Sequence, residues 1–196
     1  MKLPIFPLSG AVMFPKTNLP LNIFEERYIG MIDFSLSNNR FLGMVQQKPN
    51  SELYNIGCFG KITAFNETAD KRYLINLEGI NYFKIIKQLE TDFKFLICEI
   101  EILDNFTNNT IDNNSKNKIL DSFIKYNKVK KINLNINEIS DLSAIDLLKF
   151  IIMISPFEVS VKQMFLELKS NKELYKNVLS TLEIETAIEN KTTSIN

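Results

Sequence analysis

The side chains that could do chemistry are few. No histidine occurs among the 196 residues, which removes imidazole bases, His-containing triads and His metal sites. Cys58 and Cys98 are too few for a structural zinc site or a disulfide scaffold, and read as reduced strand residues. Gly60-Lys61-Ile62 lacks both the Ser/Thr and the upstream glycine spacing of a phosphate-binding loop, and neither GxGxxG nor GxSxG is present. Ser9, Ser155 and Lys16 invite a Ser–Lys hydrolase reading, but Ser155 sits where a helix cap would, and no lysine has a spacing that selects it as a base. Glu25-Glu26 resembles a pair of acids and is equally a helix start. These residues point to binding without catalysis, and no cofactor or metal is expected.

What remains is apolar. Met13 and Phe14 lie in the proline-bounded stretch Val12-Met13-Phe14-Pro15-Lys16, where they either offer an adaptable surface or plug the end of a barrel. Phe24 and Tyr28 fall at helical spacing with Ile32, as a peptide groove or a helix packed on a sheet would require. Leu19 and Leu21 flank Pro20 with the same ambiguity. Fifteen phenylalanines without a tryptophan leave some near the surface, where apolar patches mark partner sites.

The elements that must hold these residues follow from glycine and proline. All six glycines fall at or before Gly79 and five of six prolines at or before Pro49, so the first half reads as strands and turns and the second as helices. Residues 3–8 open in an extended form, and Pro15 and Pro20 keep 12–21 from being a central strand. Asn22 with Glu25 suggests the N-cap of a helix carrying Phe24, Tyr28, Met31, Ile32 and Leu36. Strands are expected over 41–46, 56–65, 72–78, 82–86 and 93–103, with a hairpin turn at 68–71. Beyond an Asn-rich stretch, helices are expected around Ile119, Leu120, Phe123 and Ile124, from Ser143 to Ile154, from the start signal Ser155-Pro156-Phe157-Glu158, and from about Lys172. The fold class is α+β: a β-rich pseudo-barrel lobe with one inserted helix (1–104), a linker (105–115), a bundle of about four helices (116–190) and a frayed tail (191–196).

Charge is balanced, with 23 basic and 23 acidic side chains, and the segments before and after Leu103 are each balanced too. Neither shows the basic excess that phosphate backbones select, so Lys125, Lys128, Lys130 and Lys131 read as a solvated helix end. No apolar stretch approaches the ~20 residues of a membrane span, and no signal peptide is evident, so the cytoplasm is the expected location.

Leu3-Pro4-Ile5-Phe6-Pro7-Leu8, Phe14-Pro15 and Leu19-Pro20-Leu21-Asn22-Ile23-Phe24-Glu25-Glu26-Arg27-Tyr28 resemble the N-terminal substrate-binding domain of ATP-dependent Lon proteases. The likeness continues through Ile56-Gly57-Cys58-Phe59-Gly60-Lys61-Ile62 and Arg72-Tyr73-Leu74-Ile75-Asn76-Leu77-Glu78-Gly79, and Met153-Ile154-Ser155-Pro156-Phe157-Glu158 with Lys162-Gln163 is similar to the end of short, free-standing bacterial members. It runs from Leu3 to about Ala187. One departure is Tyr82, near where the family's pattern places an arginine, so any role of that arginine is not carried over. The resemblance implies recognition of unfolded or tagged polypeptides through Met13, Phe14, Leu19, Leu21, Phe24 and Tyr28, with no room in these residues for the ATPase or the Ser–Lys peptidase of full-length Lon. It also implies an ATP-dependent protease as partner and admits weak self-association. The β lobe is similar to that of cereblon, whose zinc ribbon and tryptophans have no counterpart here. The alternative is a PUA-like nucleic-acid-binding accessory module, which the charge balance disfavours.

Overall fold

A computed structural model describes residues 1–104 and 106–193. In chain order the elements are β1 (Lys2–Leu8), β2 (Asn18–Ile23), α1 (Glu26–Leu36), β3 (Phe41–Gln46), β4 (Ile56–Glu67), β5 (Tyr73–Leu89), β6 (Leu96–Leu103), α2 (Asn113–Lys130), α3 (Asn137–Ser140), α4 (Ala144–Ile154), α5 (Val159–Glu167) and α6 (Asn171–Thr193). They form two units: Met1–Asp104 with Glu158–Leu166, and the described residues of Asn105–Phe157 with Glu167–Asn196. The architecture is α+β, a β-rich N-terminal lobe with one inserted helix and helices after it.

The first unit is a six-stranded sheet in the order β2-β5-β4-β3-β1-β6, closed by a further β5–β6 pairing. Closure depends on β5. Its first half pairs with β2 and its second half with β6, while β4 runs along it from Tyr73 to Lys84. The sequence suggests two strands here, 72–78 and 82–86, split at Gly79. Instead Gly79 sits beside a register shift between Phe59 and Gly60, a bulge that bends one continuous strand around the corner of the barrel. Pro20 is accommodated because β2 is an edge strand paired with β5 alone.

Two apolar clusters fill this unit. Phe6, Ile23, Tyr28, Met31, Ile32, Leu42, Met44 and Leu77 belong to one, and Leu3, Ile5, Val45, Phe59, Phe83 and Ile100 to the other. Alternation along the strands sends neighbours such as Met44 and Val45 to different clusters. Helix α1 closes the first with Tyr28, Met31 and Ile32, the residues its periodicity selects.

Several local expectations are corrected. Asn22 does not cap α1. It is the fifth residue of β2, opposite Leu74 of β5, and the helix begins at Glu26 after Glu25. The ladder fixes the backbone through Ile23, and the Glu25 carboxylate is engaged by Arg27 at 2.8 Å rather than by a helix N–H. Strand β6 starts at Leu96, not at Phe93. Ser155 ends α4, its N–H donating to the Ile151 carbonyl at 3.0 Å, and α5 begins only at Val159.

Helix α5 packs with the sheet unit through buried amides. Gln163 Nε2 donates to the Ile56 carbonyl (3.0 Å), and Gln46 Nε2 donates to the Val159 carbonyl (3.0 Å) and to Gln163 Oε1 (3.1 Å). Lys162 Nζ donates to the Gly10 carbonyl at 2.9 Å.

In the second unit, α2 and α6 pack along each other, with Lys130 bridging Glu185 (3.4 Å) and Glu189 (3.0 Å). Helix α2 is capped by Asp112, whose carboxylate accepts from the Ser115 N–H at 2.8 Å, so the helix takes in the end of the Asn-rich stretch. Thr107 is bridged to Ser170, with its N–H on the Lys169 carbonyl at 2.7 Å. Of the residues expected as a linker and a frayed tail, Asn105 and 194–196 lie outside the described residues, and α6 continues to Thr193.

Candidate functional site

The six apolar residues singled out by sequence divide by burial. Met13 and Phe14 are 1% and 0% exposed. Their loop is drawn inward by a turn in which the Phe14 N–H donates to Thr17 Oγ1 (3.2 Å) and Thr17 Oγ1 donates to the Phe14 carbonyl (2.8 Å). The turn is fastened to β5 by two bonds of 2.8 Å, from the Lys16 N–H to the Gly79 carbonyl and from the Gly79 N–H to the Thr17 carbonyl. Only glycine fits at 79, because a Cβ there would fall on the Phe14 carbonyl. Leu19 and Leu21 are half-buried on β2, against the cluster that α1 covers.

Phe24 and Tyr28 are brought together. Phe24 is 65% exposed, with the Arg72 guanidinium 5.9 Å from its ring centre. Tyr28 is buried, its ring edge-on to Phe6 at 4.6 Å and covered by the Arg27 guanidinium at 4.4 Å. Burial pushes the Tyr28 hydroxyl above its usual range, with Arg27 lowering it and Glu25 raising it by smaller amounts.

Three adjoining depressions run through this region of the sheet unit. The first, about 230 Å³, lies between the end of β1 and the start of α1 and is lined by Ser9, Asn22, Phe24 and Tyr28 among others. The second, about 370 Å³, shares Pro7, Arg27, Tyr28 and Gln47 with the first and extends to Leu53, Lys94 and Phe95. The third, about 410 Å³, shares Gln88, Phe95 and Leu96 with the second and ends at Phe93. Phe24 and the 47%-exposed Phe93 therefore mark the two ends of one groove, with Tyr28 and Phe95 along its length. Phe93 stacks on Phe95 at 4.8 Å, and both lean on Phe34 of α1 at 5.1 and 5.6 Å.

The charges around the groove are largely paired: Arg27 with Glu25 (2.8 Å), Lys48 with Glu52 (3.0 Å) and Lys94 with Glu26 (3.6 Å). The lining is mixed, the rings of Tyr28, Phe95 and Phe93 alternating with the amides of Gln47, Gln88 and Asn22. Phe93 and Phe95 escape sequence reasoning because they read as strand residues. Phenylalanines two apart at a hairpin, after Thr91-Asp92, were the available signal.

A separate depression of about 440 Å³ lies between α2 and α6, lined by Lys118, Asp121, Lys125, Leu179 and Glu183 among others, with no aromatic side chain. Among the described residues no group of three His, Cys, Asp or Glu side chains is placed to hold a metal, and no helix is long and apolar enough to cross a membrane.

Comparison with known proteins gives one consistent answer. The family model described as the ATP-dependent protease La (LON) substrate-binding domain matches residues 2–183. A Lon protease of Buchnera aphidicola subsp. Schizaphis graminum is 27% identical over 200 residues, covering 94% of this chain and 25% of its own length. A Lon protease of Dictyoglomus thermophilum is 28% identical over 116 residues, covering 56% of this chain and 14% of its own. The chain thus spans a quarter or less of these relatives. Among solved structures, the N-terminal domain of a Mycobacterium avium complex Lon protease superposes with a TM-score of 0.70 at 12% identity, over 93% of this chain and 98% of that one. A Lon N-terminal domain protein from Xanthomonas campestris gives 0.66 at 15% identity, over 92% and 98%.

Proposed function

The chain belongs to the ATP-dependent protease La (LON) substrate-binding domain family, and from that premise we propose that it binds unfolded or tagged polypeptides in the Phe24–Tyr28–Phe95–Phe93 groove without cleaving them. The observation that carries this reading is the groove itself: aromatic rings along an open channel, exposed at both ends, with its cations Arg27 and Lys94 each paired to an acid. A folded client keeps its apolar side chains inside, whereas an unfolded one can lay them along the channel. Each Leu or Phe side chain so buried contributes about 1.5–3 kcal/mol. Part of that gain is cancelled by ordering the client chain, so several weak contacts are needed to approach micromolar affinity, about −8 kcal/mol. Client choice then rests on exposed apolar content more than on sequence. An ATP-dependent protease in the cytoplasm is the partner this role implies. The paired charges leave no basic track to favour nucleic acid.

Photo-crosslinkers at Phe24 and Phe93 should label reduced, carboxymethylated α-lactalbumin and spare the native, calcium-bound form. Equal labelling of both, or of neither, would overturn the reading. Phe24→Ser should weaken capture of the unfolded client while leaving the unfolding midpoint unchanged, because the ring is largely in solvent.

A further inference from the structure

Strand β4 outruns its neighbour. Its register with β3 extends to Phe41–Lys61, followed by one bond from the Ile62 N–H to the Arg40 carbonyl at 2.9 Å. Beyond a register shift at Thr63, residues 64–67 pair with β5 on one side, and 63–67 are all exposed. The phase of that ladder is fixed at its end, where the Thr68 N–H donates to the Arg72 carbonyl at 2.9 Å. In an antiparallel pair, main-chain groups turn alternately toward and away from the partner. Thr68 and Asn66 therefore face β5, and the N–H and C=O of Phe65 and Glu67 face outward, where no strand lies among the described residues. The far side of β5 agrees with this phase. It turns Asn76 toward β4, so Asn76's partner Pro20 faces the open side of β2, where its missing N–H is harmless.

The two edges of this sheet are thus unlike. That of β2 is blunted by Pro20, while residues 63–67 (Thr-Ala-Phe-Asn-Glu) carry no proline, glycine or lysine to discourage pairing. We propose that the outer edge of β4 at Phe65 and Glu67 is a second binding site, which takes an extended segment of an unfolded polypeptide as an added strand. The complement of outward N–H and C=O groups at strand spacing is another extended backbone. The half-exposed Phe65 ring, edge-on to Tyr73 at 4.8 Å, offers a ledge for one of its side chains. A second copy fits less well: antiparallel pairing about Phe65 sets Glu67 against Thr63 with no charge partner, over an area far below that of a stable dimer. The inference rests on the reading that the ligand is polypeptide, but not on the groove. It adds recognition of backbone, indifferent to sequence, to a channel that reads side chains.

The probe is a fluorescein-labelled dodecapeptide of alternating valine and threonine with a lysine at each end, followed by anisotropy and by amide hydrogen exchange on the full chain. Glu67→Pro removes an outward N–H and should weaken binding about fivefold or more, the loss of one net hydrogen bond, while Glu67→Ala stays within about twofold. Peptide should protect the amides of Phe65 and Glu67, and N-methylation of consecutive peptide nitrogens, which blocks both edges of the peptide strand, should abolish binding. That last arm uses the unmodified protein and decides the matter if Glu67→Pro does not fold. Protection at Tyr28 and Gln47 instead, with full affinity in Glu67→Pro, would leave the polypeptide reading and remove the edge site. Loss of self-association in Glu67→Pro with peptide binding intact would assign the edge to a second copy and overturn the proposal. Failure to bind either this peptide or unfolded α-lactalbumin would remove both readings.

Discussion

Replacing Gln163 by leucine tests whether polar bonds, rather than apolar fit alone, hold α5 to the sheet unit. Gln163 is 2% exposed, donates to the Ile56 carbonyl at 3.0 Å and accepts from Gln46 at 3.1 Å. The substitution leaves that carbonyl without this donor and takes one of two acceptors from the Gln46 amide, which keeps Val159. An orphaned buried partner costs about 1–3 kcal/mol, and the leucine side chain returns at most about 1.5–3 kcal/mol where it fits. With two bonds lost and the gain only partly realised, the net loss is about 1–3 kcal/mol. That lowers the thermal midpoint by roughly 3–10 °C for a chain of this size. Near-ultraviolet circular dichroism, followed through urea unfolding, reads the buried Tyr28 and Tyr82 of the sheet unit, and a Tyr126→Phe background removes the buried tyrosine of the second unit from the signal. The control is the double variant Gln46→Met/Gln163→Leu. Gln46 Oε1 already lacks a hydrogen-bond partner among the described residues, so removing both amides should recover at least about 1 kcal/mol relative to the sum of the single variants. A Gln163→Leu protein as stable as the parent, or strict additivity in the double variant, would refute the argument.

Stability should fall in alkali. Burial raises the Cys98 thiol, and burial, with Cys58 adding to it, raises the Tyr82 hydroxyl. Both protons are held more tightly in the folded state, so their contribution is complete below the unfolded values, about 8.5 for cysteine and 10 for tyrosine, and is lost as pH rises toward the folded ones. Lys162, lowered by burial, acts in the opposite sense as pH approaches the ordinary lysine range. Urea midpoints at pH 8, 9.5 and 11 should decline, with a flatter first step in Cys98→Ala; no decline would sink the account. Gly79→Ala should push the 14–17 turn off β5, costing several kcal/mol and exposing Met13 and Phe14 to limited proteolysis, whereas Gly30→Ala, with open space around the new methyl, should be neutral or mildly stabilising. Lys130→Met should destabilise the α2–α6 pair by about 0.5–1 kcal/mol, an effect that shrinks in 1 M salt because the pair is partly solvated.

Local chemistry made much of this protein legible before any tertiary contact was known. Ser143 does cap α4, accepting from the Asp146 N–H at 3.2 Å, because a cap is satisfied within four residues. Met31 and Ile32 line the core because a helix fixes which side chains share a face. Pro20 had to lie on an edge because it has no N–H to give. Where residues far apart compete for the same backbone, sequence reasoning gave way. Asn22 could have capped a helix, but the β2–β5 register keeps it extended opposite Leu74, and Met13 and Phe14 were ambiguous until Gly79, more than sixty residues on, pinned their turn. The groove belongs to the same class. Phe24 and Tyr28 were visible as candidates on one helix start, but Phe93 and Phe95 join them only because a strand register closes the barrel and carries the β5–β6 hairpin back beside α1. Periodicity reports which side of an element is apolar, whereas the sheet register decides which apolar sides are covered and which are left open to a ligand.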